Sequence, residues 1–186
     1  MSNLIYLPED KEKLQTIFNK GEIFSYPTET VFGLGCDYKN EEALKKLINL
    51  KQRKANKGFI IIADSWERLA EIILPIPESE KNAMDKVNKT YPTTFLLKAQ
   101  NNLSNLIKIN NKVAVRIVKL ELIQIICEVL NSPLISSSAN LSQQSPARTV
   151  LEVQLHFPNL PIIAGKIKAI NKASKILDWE TKNYLR

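Results

Sequence analysis

Apolar residues along this chain recur with two alternating periods, one of three to four residues and one of two or less. Leu14, Ile17 and Phe18 share one face of a helix predicted over residues 9–20, with Gly21 as its stop. "EIFSY" (22–26) reads as a strand running into a turn at Pro27. Entered at Asn40, residues 41–51 stripe Ala43, Leu44, Leu47 and Ile48 into a second helix. The unbroken apolar run "GFIIIA" (58–63) marks a strand covered on both faces. Asp64 and Glu67 stand at capping-box spacing for a helix through Ile73, closed by Pro75 and Pro77. A helix over 78–89, strands at "TTFLLKA" and "KVAVRIV", a helix over 120–130 and a strand at "PLISS" follow. Thr149 and Glu152 cap a short helix, and 161–164 and "SKILD" read as final strands. Interleaved helices and buried strands of this kind predict an α/β layer structure.

Composition narrows the class without changing that picture. A chain of 186 residues, 44% hydrophobic and 24% charged, suits one domain over 1–186 with a real core. No apolar run approaches the roughly 18–20 residues a membrane span needs, and acid and lysine interrupt the start too early for a signal peptide, so the cytoplasm is expected. Cys36 and Cys127 form no CxxC pair and are expected reduced, and His156 is the lone histidine. That argues against a His/Cys zinc cluster and against Ser–His hydrolysis. The net charge of +7 suits a polyanion, or a lysine-rich solvated surface.

Three segments carry candidate chemistry. In "SYPTETVFGLGCD" (25–37), Gly33 and Gly35 stand two apart, as a tight turn or a close backbone approach would each explain, beside hydroxyls and the carboxylate Glu29. In "KQRKANKG" (51–58), the cations Lys51, Arg53, Lys54 and Lys57 crowd together, which an anion would relieve and which a helix C-terminus also favours. In "PLISSSANLS" (133–142), Ser136, Ser137, Ser138 and Asn140 follow a strand, as in an anion nest or an ordinary serine-rich turn. GxxxxGK[ST] and GxGxxG loops are absent. If the three loops converge at one sheet edge, they suit a nucleotide triphosphate and a small polar molecule.

Taken together, "YPTETVFGLGCD", "KQR" followed by "NKG", "VAVRI" and "SSSANLS" with "RTV" downstream resemble the YrdC family of threonylcarbamoyl-AMP synthases, in order over roughly residues 10–180. The resemblance implies a twisted mixed α/β sheet flanked by helices, with a concave basic cleft. It implies an enzyme that joins L-threonine, bicarbonate or CO2, and ATP into threonylcarbamoyl-AMP and pyrophosphate, for the threonylcarbamoyladenosine at position 37 of tRNA. A separate threonylcarbamoyl transferase complex would consume the product. Magnesium would arrive on the ATP, and no membrane is involved.

Carried over by position, the Lys-x-Arg and Ser-x-Asn signature falls on Lys51, Arg53, Ser138 and Asn140. ATP contacts are expected from Lys51, Arg53, Lys57, Thr94, Ser136, Asn140, Arg148 and Arg186. Threonine contacts are expected from Thr30, Arg116, Ser138 and Ser174, with Arg116 facing a carboxylate or phosphate. The sequence departs from the family at "YPTT" (91–94), at Gln143 where glycine is usual, and at Ala173 and Lys175 in "NKASKILD". The first departure bears on Thr94, the second asks for a non-glycine loop conformation, and none removes a phosphate-binding residue. The chemistry needs no covalent nucleophile: the amine attacks carbon, and the resulting carboxylate attacks the α-phosphorus. "KANKG" is expected to serve as part of a lid. A non-catalytic RNA-binding module, and an enzyme making another carbamoyl or acyl adenylate, are the competing readings.

Overall fold

The computed structural model describes residues 5–53, 57–167 and 174–185. Its strands are β1 (Ile5–Tyr6), β2 (Phe24–Pro27), β3 (Phe32–Gly35), β4 (Ile60–Ala63), β5 (Thr93–Lys98), β6 (Lys112–Ile117), β7 (Leu134–Ser138), β8 (Ile162–Ile163) and β9 (Lys175–Asp178). Its α-helices are α1 (Lys11–Asn19), α2 (Glu41–Leu50), α3 (Glu78–Thr90), α4 (Glu121–Leu130) and α5 (Val150–His156). The strands form one mixed sheet in the order β1-β8-β2-β3-β7-β4-β6-β5-β9. Parallel pairs (β4–β6, β5–β9) stand beside antiparallel ones (β2–β3, β3–β7, β4–β7, β5–β6).

Alternation along the central strands divides the residues between two faces. Ile61 and Ala63 of β4, Val113, Val115 and Ile117 of β6 and Phe95 and Leu97 of β5 join the larger core with α2, Met84 of α3 and Val153 of α5. On the other face, α1 and α4 cover only part of the sheet. Leu14, Ile17, Phe18, Ile123, Ile126 and Cys127 pack there on Phe24, Tyr26, Leu134 and Ile163. The uncovered remainder is a cavity. "GFIIIA" is therefore apolar throughout because one face meets the core while Ile60 and Ile62 floor that cavity.

Local signals explain most boundaries. The Asn40 side chain caps α2 by accepting from Ala43 N at 3.0 Å. Thr149 and Glu152 form the predicted reciprocal box on α5. Gly21, at φ +64, ends α1 as Gly21 N and Glu22 N bond back to Phe18 O and Ile17 O.

Four expectations need correction. The helix predicted over 64–73 is only a 3-10 turn, Glu67–Leu69, because Arg68 holds the Asp64 carboxylate (2.6 Å from Nε) and Asp64 does not cap. Pro27 lies within β2, and the reversal comes afterwards, where Thr28 N and Oγ1 both donate to Val31 O. Gly33 and Gly35 belong to the extended strand β3 and make no turn. A side chain at Gly35 would lie 2.7 Å from the Tyr26 ring and 3.0 Å from Ile135 O. The glycines make room for a buried tyrosine whose hydroxyl donates to Ile135 O at 3.0 Å. Gln143 has a φ of +72°, in the left-handed region that favours glycine, so the loop does not take the non-glycine conformation expected there.

Candidate active site

The uncovered sheet face and the loops at its edge enclose a cavity of about 820 Å³. Its floor is built by strand alternation: Ile60 and Ile62, Ala114 and Arg116, Thr94 and Leu96, and Ile176 all turn the same way. The β2–β3 hairpin supplies Thr28–Val31 at one wall. β7 adds Ser136 and Ser138, and Arg53, Lys57 and Arg148 stand in the lining. Glu29 is the one carboxylate among the described lining residues, set against the cations Arg53, Lys57, Arg116 and Arg148.

Of the expected ATP contacts, Arg53, Lys57, Thr94, Ser136 and Arg148 line this cavity. Of the expected threonine contacts, Thr30, Arg116, Ser138 and Ser174 do. Thr94, despite the altered "YPTT" element, shares a hydrogen bond with Ser174 (Oγ1 to Oγ, 2.9 Å), so these two distant positions meet. Lys51 and Asn140 are not in the lining and bond to each other. Arg186, Ala173 and Lys54–Asn56, the middle of the expected lid, lie outside the described residues. His156 is not among the lining residues.

The end of α2 separates the two cations of the Lys-x-Arg pair. Gln52 adopts φ +50, Gln52 N bonds to Asn49 O, and Arg53 N bonds to Ile48 O, a Schellman closure made without glycine. This reversal leaves Lys51 buried and sends Arg53 to the cavity. Arg53 Nη2 donates to Gly58 O at 2.7 Å and Nη1 to Ser137 Oγ at 3.5 Å, while the guanidinium lies 4.7 Å from the Phe59 ring centre. Held on three sides, it is a preformed fork for an anion. Burial lowers its pKa, and burial followed by the nearby Arg53 lowers that of Lys51 to about 8.

Glu29 has no role that the sequence assigns. Its Oε1 accepts from Arg116 Nη2 at 2.5 Å. Burial lowers the Arg116 pKa and Glu29 opposes that shift. Arg116 Nε is buried without a hydrogen-bond partner among the described residues. That donor is shut off from the cavity, so a carboxylate or phosphate oxygen would meet the charge of the guanidinium and would reach Nε only if the side chain shifted. Cys36 and Cys127 are fully buried free thiols, each pushed up to about 12 by burial, which makes them poor nucleophiles.

A mixed α/β sheet with one face open, rimmed by arginines and hydroxyls and holding no nucleophile–base pair among the lining residues, defines a cleft suited to holding and positioning an anionic substrate. The sequence profile of the Sua5/YciO/YrdC family, described as "Telomere recombination", matches residues 16–186, and the chain belongs to that family. The threonylcarbamoyl-AMP synthase of Dichelobacter nodosus is 37% identical over 181 residues, covering 97% of this chain and 95% of its own. The enzyme of the same name from Vibrio campbellii is 39% identical over 183 residues, covering 94% of this chain and 97% of its own. The crystal structure of P. abyssi Sua5 complexed with L-threonine superposes with a TM-score of 0.83 at 25% identity, over 95% of this chain and 54% of that one. Family and curated relatives thus make this chain an enzyme of the nucleotidyl-transferring class. Among the described residues, no helix is long and apolar enough to cross a membrane.

Proposed function

We propose that the chain condenses L-threonine, bicarbonate or CO2, and ATP into threonylcarbamoyl-AMP with release of pyrophosphate. The observation that carries this reading is the convergence of Thr30, Arg53, Arg116, Ser138 and Ser174, from five separate parts of the chain, on one cavity. Relatives that share the name threonylcarbamoyl-AMP synthase over nearly their whole length support the same reaction.

The residues present account for the steps. Arg53, Lys57 and Arg148 supply positive charge for the triphosphate and for the charge that builds at the α-phosphorus as pyrophosphate leaves. Arg116 offers the positive charge of its guanidinium to the threonine carboxylate, and Thr30 and Ser174 offer hydroxyls to its polar groups. The threonine nitrogen attacks carbon as the free base, and the N-carboxylate so formed attacks phosphorus. No enzyme-bound covalent intermediate is needed, and the protein acts by holding reactants together and neutralising charge. Magnesium would enter with the nucleotide, whose phosphate oxygens and water would be its ligands. Glu29, the sole lining carboxylate described, is engaged by Arg116 and supplies no dedicated metal site.

The product serves threonylcarbamoylation of tRNA through a separate transferase complex. The test is pyrophosphate release by the purified chain. It is expected only when ATP, magnesium, bicarbonate and L-threonine are all present. Release without threonine, or with any amino acid equally well, would favour another carbamoyl or acyl adenylate. Salt-sensitive RNA binding with no ATP binding at all would favour a non-catalytic module.

A further inference from the structure

An ammonium group has three donors and no acceptor. Those of Lys51 are all occupied within the protein, by Ser138 O, by Asn140 O at 2.8 Å and by Asn140 Oδ1 at 3.3 Å. Lys51 is only 5% exposed. The brace is reciprocal, since Ser142 donates back to Lys51 O from both its backbone N (3.2 Å) and its Oγ (2.7 Å).

The Asn140 amide is equally full. Its Nδ2 donates to Leu141 O and Gln144 O, both at 2.8 Å, which fixes which end of the amide faces which way. Oδ1 therefore faces Lys51 and also accepts the hydroxyl of Ser138 at 2.6 Å. A serine has one proton to donate, and that of Ser138 is committed to Asn140. Toward the cavity that it lines, Ser138 Oγ presents lone pairs alone.

This polarity selects a ligand group. An ionised phosphate oxygen has no proton to offer, whereas an amine or a hydroxyl has, and of the substrate's donors it is the amine that the reaction must also aim at carbon. An amine is matched to it. With an N–H directed at Ser138, a neutral amine also keeps its lone pair for attack on carbon.

We propose that Lys51 is a positioning residue: acting through Asn140, it holds Ser138 Oγ as the hydrogen-bond acceptor for the amino group of the amino-acid substrate, and does not itself bind phosphate. The inference rests on the threonine-site reading given above and specifies its polarity. Lys51→Arg should not substitute, because a planar guanidinium cannot meet three oxygens gathered around one nitrogen.

The test is calorimetric titration, with steady-state kinetics alongside, of the full chain with L-threonine, with 3-hydroxybutanoate (hydrogen in place of amine) and with Mg-ATP, for wild type, Ser138→Ala and Lys51→Met. Loss of one hydrogen bond to the amine should weaken threonine about ten-fold in Ser138→Ala, and the deaminated analogue less than about two-fold. Lys51→Met should raise the Kd and KM for threonine about ten-fold while changing those for Mg-ATP less than about three-fold. Lost ATP affinity with threonine affinity intact in Lys51→Met would return the lysine to the phosphates and overturn the proposal. Equal weakening of threonine and its analogue in Ser138→Ala would overturn the acceptor role, and this comparison decides even if Lys51→Met fails to fold. A wild type that binds ATP but not threonine would instead remove the reading on which the proposal stands, and the proposal with it.

Discussion

The Glu29 carboxylate meets Arg116 Nη2 at 2.5 Å, tying the tip of the β2–β3 hairpin to the C-terminal end of β6 across the cavity wall. Both side chains are largely withdrawn from water, Arg116 at 13% and Glu29 at 14% exposed. Removing either partner leaves the other charge poorly solvated. Glu29→Ala should lower stability in urea unfolding, by less than the about 3–5 kcal/mol of a fully buried pair because this one borders an open cavity. The double variant Glu29→Ala, Arg116→Ala should recover part of that loss and none of the activity. Independent, additive losses would show that the pair is not coupled.

Lys51 makes activity and stability respond to pH in opposite senses. Its pKa falls from 10.5 to about 8 in the folded protein, chiefly through burial and then through Arg53. The folded chain therefore gives up this proton first, and between about pH 8 and 10.5 the unfolded chain binds more. The stability difference between wild type and Lys51→Met should shift in favour of wild type as pH rises through that window. Over the same window the brace on Asn140 loses a donor and its charge, so threonine-dependent kcat/KM should fall. The two profiles, measured side by side on both proteins, check the assignment. A parallel fall of stability and activity would contradict it.

Tyr26 is a structural residue, fully buried, with its pKa raised mainly by that burial. Tyr26→Phe removes the donor to Ile135 O and leaves that carbonyl unpaired, a loss expected near 1–3 kcal/mol. Gly35→Ala should also cost about 1–3 kcal/mol, since the new methyl meets both the Tyr26 ring and Ile135 O. Thermal unfolding reads both losses. Threonine affinity at a temperature where both variants are folded should be near wild type for Tyr26→Phe.

At Gln143, φ +72 is a region that an L side chain occupies at a cost. Gln143→Gly should therefore stabilise the protein modestly, by up to about 1 kcal/mol, or leave it unchanged where added chain entropy offsets the relief. A clear loss of stability would show that the glutamine side chain has a role of its own.

Much of this architecture is written locally. Asn40 before α2 and the Thr149–Glu152 pair before α5 act within three residues and read true. The strands with unbroken or alternating apolar runs were likewise visible. β3 was not, because Gly33 and Gly35 look like a turn until the Tyr26 ring that fills their missing side-chain space is placed. The expected helix after Asp64 failed because a carboxylate free to cap in sequence is taken by Arg68 in space. At the site, motifs named the lining residues well, yet they gave Lys51 and Arg53 one role. Only the left-handed turn at Gln52, which carries no glycine to announce it, sends one inward and the other to the cavity. The Glu29–Arg116 contact spans 87 residues, and no local pattern encodes it.

The most direct test of the account is mass detection of threonylcarbamoyl-AMP after incubating the purified chain with ATP, magnesium, 13C-bicarbonate and L-threonine, beside Arg53→Ala. The account predicts a product carrying the labelled carbon, dependent on every substrate and reduced by at least about a hundred-fold in the variant, in line with loss of a charge-stabilising contact in the transition state. Bound ATP and threonine with no labelled product, or full activity in Arg53→Ala, would contradict it.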